Sequence, residues 1–231
     1  MKRAVVTGAS SGIGKEITLK LLKLGFKVIG VSRTLGDETF NDDNFSSLKS
    51  DMSDEKSTLN LCQQLKKEDI YILVNCAGFG RFEPHEELSA MTIVKMSFLN
   101  LTAPMLLTNA LLRDLKKNDG YLININSIEA LRASKFAGVY SATKAGLKAF
   151  GDSLFEETRK SRLSITNINP DMTQSGFYDK LRFETSEKED EKLLVSDIAD
   201  AVEHILTMRK GAVVSDYTIR SIKFGISKKS L

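Results

Sequence analysis

A tyrosine and a lysine, Tyr140 and Lys144, lie four residues apart past the middle of the chain. On an α-helix, residues i and i+4 share one face, so the phenol and the ammonium can reach the same cleft. A free tyrosine loses its proton near about pH 10. A neighbouring cation stabilises the phenolate, and we therefore expect Lys144 to lower the pKa of Tyr140. The pair is a candidate general acid/base for work near neutral pH.

A glycine-rich turn near the N-terminus indicates what such an acid/base would serve. Its residues are Thr7, Gly8, Ala9, Ser10, Ser11, Gly12, Ile13 and Gly14, which gives the spacing Gly-x-x-x-Gly-x-Gly. Glycine permits a tight turn and a close approach of backbone to a pyrophosphate, which the free N–H groups of a helix N-terminus can bind. We expect Gly14 to let that helix pack on the sheet. For the turn taken alone, an ordinary strand–helix loop is the alternative.

The end of the predicted second strand bears on the choice of cofactor. A carboxylate there would accept hydrogen bonds from the ribose 2′-OH of NAD, but the chain has Val31-Ser32-Arg33. Arg33 can instead bind a 2′-phosphate, which favours NADP(H) over NAD(H). A solvated surface arginine is the alternative, and the nearby Asp37 and Glu38 would repel a phosphate if they folded inward.

Apolar strand patterns alternate with helical patterns along the whole chain. Strands are predicted at residues 4–6, 26–31, 45–48, 70–74, 121–125, 163–168 and within 212–219. Helices are predicted at residues 13–24, 54–67, 89–115, 139–160 and 196–208, with Pro104 causing a local irregularity. This alternation predicts one α/β domain with a Rossmann-type, doubly wound parallel sheet.

The composition indicates an ordinary soluble protein and argues against several other classes. At 231 residues the chain can bury one substantial core. The net charge of +3 comes without a clustered basic patch, which argues against a nucleic-acid partner. No apolar run approaches the length needed to span a bilayer. Two cysteines, Cys62 and Cys76, are too few for a disulfide framework or a metal cage. We therefore expect a cytoplasmic protein with no metal site and no membrane partner.

Three motifs, taken in order, resemble those of the short-chain dehydrogenases/reductases. They are the turn at residues 7–14, the run Asn75-Cys76-Ala77-Gly78, and the pair Tyr140 and Lys144. The resemblance covers essentially the whole chain. It implies about seven parallel strands in the order 3-2-1-4-5-6-7 and a nicotinamide cofactor. Members commonly associate through two long helices, so it also implies a homodimer or homotetramer.

The resemblance implies roles for four catalytic residues. Ser127 looks like the family's serine, which holds the substrate oxygen; a turn-capping serine is the alternative. Tyr140 would be the general acid/base, and Lys144 would lower its pKa and hold the nicotinamide ribose. Asn100 looks like the helix asparagine whose backbone helps to hold a water of the proton relay. A polar position facing solvent is the alternative for Asn100.

The resemblance further implies which residues bind the cofactor. The implied set is Gly8, Ser10, Ser11, Gly12, Ile13, Gly14, Arg33, Asp51, Met52, Asn75, Ala77, Gly78, Tyr140, Lys144, Pro170 and Thr173. Asp51 and Met52 would bind the adenine edge, and Thr173 the nicotinamide carboxamide, with Ser175 as the alternative. Asp171 stands where the family usually has glycine, which puts the local backbone in question.

The substrate pocket is expected to take residues from 80–85, 129–136 and 172–192. Residues 172–192, called the lid segment below, are charged and form a candidate substrate lid, with a solvated surface as the alternative. Arg81, Arg132 and Lys135 are possible partners of a substrate carboxylate or phosphate, with solvated charges as the alternative.

The motifs together predict an NADP(H)-dependent oxidoreductase that transfers a hydride to or from a small-molecule carbonyl or alcohol. A catalytically silent NADP(H)-binding regulatory or scaffold protein is the alternative from another class. An epimerase or dehydratase that uses the cofactor transiently is a third, which the short C-terminal region disfavours.

Overall fold

The computed structural model describes residues 1–36 and 39–229. The predicted acidic neighbours of Arg33, at positions 37 and 38, lie outside these ranges. The strands are β1 Arg3–Thr7, β2 Lys27–Ser32, β3 Phe45–Lys49, β4 Ile70–Asn75, β5 Tyr121–Ile125, β6 Ser164–Pro170, β7 Phe183–Thr185, β8 Asp216–Ile219 and β9 Ile226–Lys228. The α-helices are α1 Gly12–Lys23, α2 Glu55–Leu65, α3 Ala90–Ser97, α4 Ala103–Lys117, α5 Gly138–Thr158 and α6 Val195–Thr207.

Seven strands form one parallel sheet in the order β3-β2-β1-β4-β5-β6-β8. The predicted doubly wound order is confirmed, with its last strand eighth along the chain because the short β7 precedes it. β7 leaves the sheet and pairs antiparallel with β9. Parallel strands place their carboxyl ends on one edge, and that edge carries the predicted site.

Apolar side chains fill the space on both faces of the sheet. Neighbouring residues of a strand point to opposite faces, so Val6 joins a cluster with α1 and α6, and Val5 joins one with α2 and α4. Both valines have no exposed surface. The continuous apolar strands are thus explained by helices covering both faces.

The predicted helix 89–115 is continuous but irregular. A π-helical turn, Phe98–Thr102, joins α3 to α4, and Pro104 lies in the first turn of α4. Proline has no backbone N–H, so Pro104 cannot donate the usual i+4 hydrogen bond to the carbonyl of Asn100. The predicted irregularity is confirmed, and it falls on a candidate site residue.

The joined helix Ala90–Lys117 corrects one expectation from the sequence. By length and composition alone it is apolar enough to cross a membrane, with a mean hydropathy of 1.4 in its most apolar window. Only 28% of that window is buried. Length and composition alone do not assign such a helix to a membrane, because core helices of soluble proteins and signal sequences meet the same criterion.

The C-terminal residues fasten the lid segment to the rest of the molecule. β9 pairs with β7 through Phe183 opposite Lys228 and Thr185 opposite Ile226. The Lys223 ammonium lies 2.6 Å from the Asp190 carboxylate. The lid segment is therefore held from the C-terminal side by both backbone and charged contacts.

Candidate active site

The glycine turn forms a backbone cradle between β1 and α1. Gly8 and Gly12 have φ angles of 73° and 54°, which favour glycine. A Cβ at Gly14 would lie 2.3 Å from the carbonyl oxygen of Gly8, so only glycine fits there. Ser11 caps α1 without a side-chain hydrogen bond to the helix. The helix therefore begins with backbone N–H groups that a phosphate can use.

Thr7 joins this cradle to the run at residues 75–78. Its Oγ1 accepts hydrogen bonds from the backbone N–H groups of Cys76 at 2.9 Å and Ala77 at 3.0 Å. A Cβ at Gly8 would lie 3.0 Å from the Cα of Ala77. The sequence prediction treated Thr7 only as part of the glycine motif and missed this bridge. A hydroxyl on the last residue of a central strand is the signal that could have revealed it.

Asn100 is fully buried and holds three segments together. Its amide pairs with the backbone of Phe79, donating to the carbonyl at 2.9 Å and accepting from the N–H at 3.1 Å. It also donates to Thr143 Oγ1 at 3.2 Å, on α5. The alternative of a solvent-facing asparagine is wrong. A Cβ at Gly78 would lie 3.1 Å from Asn100 Oδ1, so glycine permits this close packing.

Lys144 is buried beneath the same loop. Its Nζ donates to the carbonyl of Ile125 at 2.8 Å and lies 5.9 Å from the centre of the Tyr140 ring. A Cβ at Gly78 would lie 3.6 Å from this Nζ. Burial lowers the pKa of Lys144 to about 8, because the charged form loses its hydration. The lysine therefore titrates close to physiological pH.

Tyr140 does not have the lowered pKa that the spacing predicts. Burial raises the pKa of its phenol well above the usual value, hydrogen bonding with Ser127 opposes that rise, and the nearby Tyr178 and Glu129 add to it. The prediction of a lowered pKa is wrong for this arrangement, because desolvation of the buried phenol is the largest effect on the pKa of Tyr140. The phenol is thus held in its protonated form at neutral pH.

Comparison with known proteins identifies the group to which this geometry belongs. The family model described as short chain dehydrogenase matches residues 2–186. The chain belongs to the short-chain dehydrogenase family.

Relatives and solved structures extend this match to nearly the full chain. An NADP-dependent 3-hydroxy acid dehydrogenase of Schizosaccharomyces pombe is 30% identical over 234 residues, covering 93% of this chain and 90% of that protein. An alcohol dehydrogenase from the archaeon Thermococcus sibiricus, complexed with 5-hydroxy-NADP, superposes with a TM-score of 0.85 at 25% identity over 96% of this chain and 97% of that one. A 4-hydroxyisoleucine dehydrogenase mutant complexed with NADH and succinate has a TM-score of 0.85 at 24% identity, covering 95% and 97%. At 24% identity, the similarity to the 4-hydroxyisoleucine dehydrogenase supports the fold alone.

Ser127 caps a short turn in this short-chain dehydrogenase and also lies beside Tyr140. Its Oγ accepts the backbone N–H of Glu129 at 3.2 Å, so the capping alternative describes one of its contacts. The same side chain acts on the Tyr140 phenol. A hydroxyl whose acceptor side is engaged by the turn keeps its own O–H as a donor.

Glu129 is a buried carboxylate that the sequence prediction noted only as pocket lining. Its Oε1 accepts from Arg132 Nε at 3.0 Å and from Ser134 Oγ at 2.8 Å. Its Oε2 accepts from Ser141 Oγ at 3.1 Å, next to Tyr140 on α5. Glu129 therefore ties the loop after Ser127 to the helix that carries Tyr140.

Asp171, at the family's usual glycine position, is held by the C-terminal strand. Its Oδ2 lies 3.2 Å from Arg220 Nε, just after β8, and its backbone N–H donates to the carbonyl of Ile219 at 2.9 Å. Oδ1 accepts the N–H of Met172 at 3.0 Å. The carboxylate is thus paired and hydrogen-bonded although its side chain is only 3% exposed.

The two candidate carboxamide partners face different directions. Pro170 ends β6, and the buried Thr173 turns its hydroxyl back to the carbonyl of Asp171 at 3.0 Å. Ser175 lies against the glycine turn, where a Cβ at Gly12 would be 3.3 Å from Ser175 Cβ. Ser175 therefore lies beside the glycine cradle, and the role of either residue at the carboxamide stays a prediction.

The three residues implied near the adenosine end follow the ends of β2 and β3. Arg33 is exposed just after β2. The Asp51 carboxylate accepts from Ser53 N and Oγ at 2.9 and 2.7 Å, and these bonds, with smaller contributions from Arg33 and Lys95, lower the pKa of Asp51. Met52 is buried in the core cluster with α2. The Met52 side chain is therefore not at the open edge of the cleft.

Asn75 begins a ladder of buried amides across three strands. Its Nδ2 donates to Asn124 Oδ1 at 3.0 Å, and Asn124 Nδ2 donates to Asn167 Oδ1 at 3.1 Å. A Cβ at Gly151 of α5 would lie 2.4 Å from Asn167 Oδ1, so glycine makes room for the ladder. Asn75 thus links β4 to β5 and β6 through buried amides.

Proposed function

We propose that this protein is an NADP(H)-dependent oxidoreductase that transfers a hydride between the cofactor and a small-molecule carbonyl or alcohol. One observation carries the proposal: Tyr140, Ser127, Lys144 and Asn100 converge beside the glycine cradle, and all but Ser127 are buried. A protein that only binds a nucleotide needs the cradle but not this group of side chains.

The glycine cradle suits a dinucleotide because Gly8 and Gly12 hold the turn at positive φ and α1 begins without a side-chain cap on its backbone N–H groups. The residues proposed to hold the cofactor are Gly8, Ser10, Ser11, Gly12, Ile13 and Gly14 at the phosphates, Arg33, Asp51 and Met52 at the adenosine, and Asn75, Ala77, Gly78, Tyr140, Lys144, Pro170 and Thr173 at the nicotinamide half. The exposed Arg33 guanidinium suits a 2′-phosphate. The name of the fission-yeast relative supports NADP as well.

The bound nicotinamide supplies the hydride, or accepts it, at the reacting carbon of the substrate. Tyr140 donates its proton to the carbonyl oxygen, and the raised pKa of its phenol keeps that proton in place at neutral pH. Ser127 holds the same oxygen through its O–H, since its Oγ already accepts the backbone N–H of Glu129. This arrangement favours carbonyl reduction at neutral pH, and alcohol oxidation would gain at higher pH.

Lys144 and Asn100 are proposed to return the proton to Tyr140. With a pKa of about 8, Lys144 can give up and regain a proton near working pH. The carbonyl of Asn100 lacks its usual helical donor because Pro104 follows four residues later, so it can hold a water molecule.

Replacing Tyr140 by phenylalanine tests the acid/base role. Because the proton donor is lost while the ring remains, we expect Tyr140→Phe to bind NADPH normally and to lose about 100- to 10,000-fold in kcat. Stopped-flow NADPH oxidation with a panel of carbonyl compounds measures this. Tyr121→Phe, far from the cradle, is the control. Undiminished turnover in Tyr140→Phe would refute the assignment, and a wild type that binds NADPH yet reduces no carbonyl would favour the silent regulator.

Replacing Arg33 by alanine tests the choice of cofactor. A charge-assisted contact to the 2′-phosphate contributes about 1.5–3 kcal/mol, so NADPH affinity should fall about 10- to 100-fold while NADH affinity stays unchanged. Fluorescence titration of both cofactors measures the two dissociation constants. The exposed Arg209→Ala is the control. Equal wild-type affinities for NADPH and NADH would contradict the NADP proposal.

The exposed apolar face of the long helix supports association with a second copy. Met91 and Val94 are 62% and 61% exposed, and the apolar window of Ala90–Lys117 is mostly unburied. We propose a homodimer or homotetramer in the cytoplasm, with the lid segment closing over the substrate. Sedimentation equilibrium of the purified protein should give a mass of at least two chains, and a monomer at micromolar concentration would refute this.

A further inference from the structure

Five aromatic rings lie next to one another in a closed circuit, and one of them is the ring of Tyr140, the proposed proton donor. The ring centres are separated by 5.3 Å for Phe82 and Tyr140, 5.2 Å for Phe82 and Phe183, 5.9 Å for Phe183 and Tyr178, 5.2 Å for Tyr178 and Phe177, and 5.8 Å for Phe177 and Tyr140. We call these five side chains the aromatic circuit. Three of them, Phe177, Tyr178 and Phe183, come from the lid segment.

The aromatic circuit is not a finished piece of the core. Tyr140 is buried, but Phe82, Phe177, Tyr178 and Phe183 each keep part of their surface exposed. Partly exposed rings next to a buried proton donor can contact the apolar surface of a ligand. A substrate whose carbonyl oxygen meets Tyr140 would therefore have its body against these rings.

The charged groups around the aromatic circuit are already paired. Glu129 is held by Arg132 at 3.0 Å, and Asp171 by Arg220 at 3.2 Å. Arg81 donates to the carbonyl of Lys180 at 2.9 Å, within the lid segment. Burial raises the pKa of the Tyr178 phenol to about 12, and the negative charges of Asp171 and Glu129 add to that rise.

The three candidate partners of a substrate anion are thus engaged elsewhere. Arg81 and Arg132 make the contacts described above, and the Lys135 ammonium lies 4.8 Å from the ring centre of the adjacent Phe136. Glu129 and Asp171 are each paired with an arginine, so neither offers an unpaired negative charge to an ammonium group.

We infer that the substrate of this site is an uncharged carbonyl or alcohol with a flat aromatic or apolar body, packed against the partly exposed rings of the aromatic circuit. The inference rests on the proposed oxidoreductase function and specifies its substrate class. It separates this chain from the fission-yeast relative, whose name describes a 3-hydroxy acid, an anionic substrate.

A matched series of methyl ketones tests the substrate class. The series shares the chain CH3-CO-CH2-CH2-X, where X is phenyl, hydrogen, carboxylate or trimethylammonium. With NADPH and the wild type, we expect kcat/KM for the phenyl ketone to exceed that of each other member by about tenfold or more, from burial of one ring. A carboxylate or trimethylammonium ketone that equals or exceeds the phenyl ketone would overturn the inference.

A substitution in the circuit separates substrate recognition from a merely structural role. Phe183→Leu should raise KM for the phenyl ketone about tenfold and leave KM for the ketone with X = hydrogen within about twofold. Phe155→Leu, another partly buried phenylalanine, about 22 Å along α5 from Tyr140, is the matched control. An equal rise for both ketones in Phe183→Leu would mean that the ring only supports the lid, and the inference would be wrong.

Equilibrium binding keeps the inference testable if turnover fails. Calorimetric titration of the Tyr140→Phe variant saturated with NADPH gives a dissociation constant for each ketone. Tightest binding of the phenyl ketone would support the inference even if no ketone is reduced by the wild type, which would refute only the proposed function. Binding of none of the ketones, or a preference for a charged one, would overturn the inference itself.

Discussion

The cofactor side of the site is shaped by backbone and small residues, whereas the substrate side is shaped by large and charged side chains. On the cofactor side, backbone and small residues set the geometry: Gly8, Gly12 and Gly14 shape the turn, and Thr7 fixes it to the loop after β4. On the substrate side, large side chains and charges set the geometry through the aromatic circuit and the pair of Asp171 with Arg220.

A short sequence motif can therefore encode the cofactor side, but it cannot encode the substrate side. A backbone cradle needs particular residue types at fixed spacing, because a single Cβ would collide with a carbonyl oxygen. A wall of rings and ion pairs can be assembled from distant positions, such as Phe82 and Phe183. The cofactor side should therefore tolerate substitution poorly, and the substrate side should change specificity before it loses stability.

The largest expected effect comes from filling the cradle. A Cβ at Gly14 would lie 2.3 Å from Gly8 O, so Gly14→Ala should lower the free energy of unfolding by about 2–3 kcal/mol and abolish NADPH binding. Chemical denaturation and NADPH titration measure the two effects. At Gly138, a Cβ would meet nothing within 4 Å, so Gly138→Ala is the control. If Gly14→Ala kept full stability and affinity, the contrast between the two sides would fail.

A smaller effect of opposite sign is expected at Lys144. Its pKa falls from 10.5 to about 8 on folding, so burying the charge costs stability, and Lys144→Met should raise the free energy of unfolding by about 2 kcal/mol at pH 7 while turnover is lost. The unfolded chain binds the extra proton between the two pKa values, so the wild type gains stability as the pH rises from about 8 to 10.5.

Denaturation across pH checks this sign. The advantage of Lys144→Met should be full below pH 8 and vanish above pH 10.5, because the wild-type lysine is then neutral in both states. A variant less stable than the wild type at pH 7 would show that the bond to Ile125 outweighs desolvation.

The smallest effect is expected at the pair of Asp171 and Arg220. Arg220 is 57% exposed, so solvent screens the pair, and Arg220→Ala should cost only about 1–2 kcal/mol by leaving a buried carboxylate unpaired. The double variant Asp171→Gly with Arg220→Ala removes that carboxylate and should recover most of the stability. Thermal denaturation of both variants measures this, and additive losses in the double variant would contradict it.

Local pattern was sufficient for the alternation of strands and helices, and the strand order followed from the family resemblance that three short motifs carry. The glycine spacing, the Asn75–Gly78 run and the Tyr140/Lys144 pair each lie within a few residues, and the structure brings them to one edge of the sheet. The predicted pKa of Tyr140 was wrong because it depends on how completely the lid segment and its neighbours exclude water. The aromatic circuit was missed because its members are separated by up to a hundred residues.

The sequence by itself determined the Rossmann-type fold, the family and the cradle, because these depend on periodicity and on residues that lie close together in the chain. Three features became evident only from the folded chain: Asn100 faces inward, Asp171 pairs with Arg220, and β9 holds the lid segment by pairing with β7. Burial and pairing between distant residues depend on where the whole chain runs, and the charges and rings at this site take their properties from that surrounding.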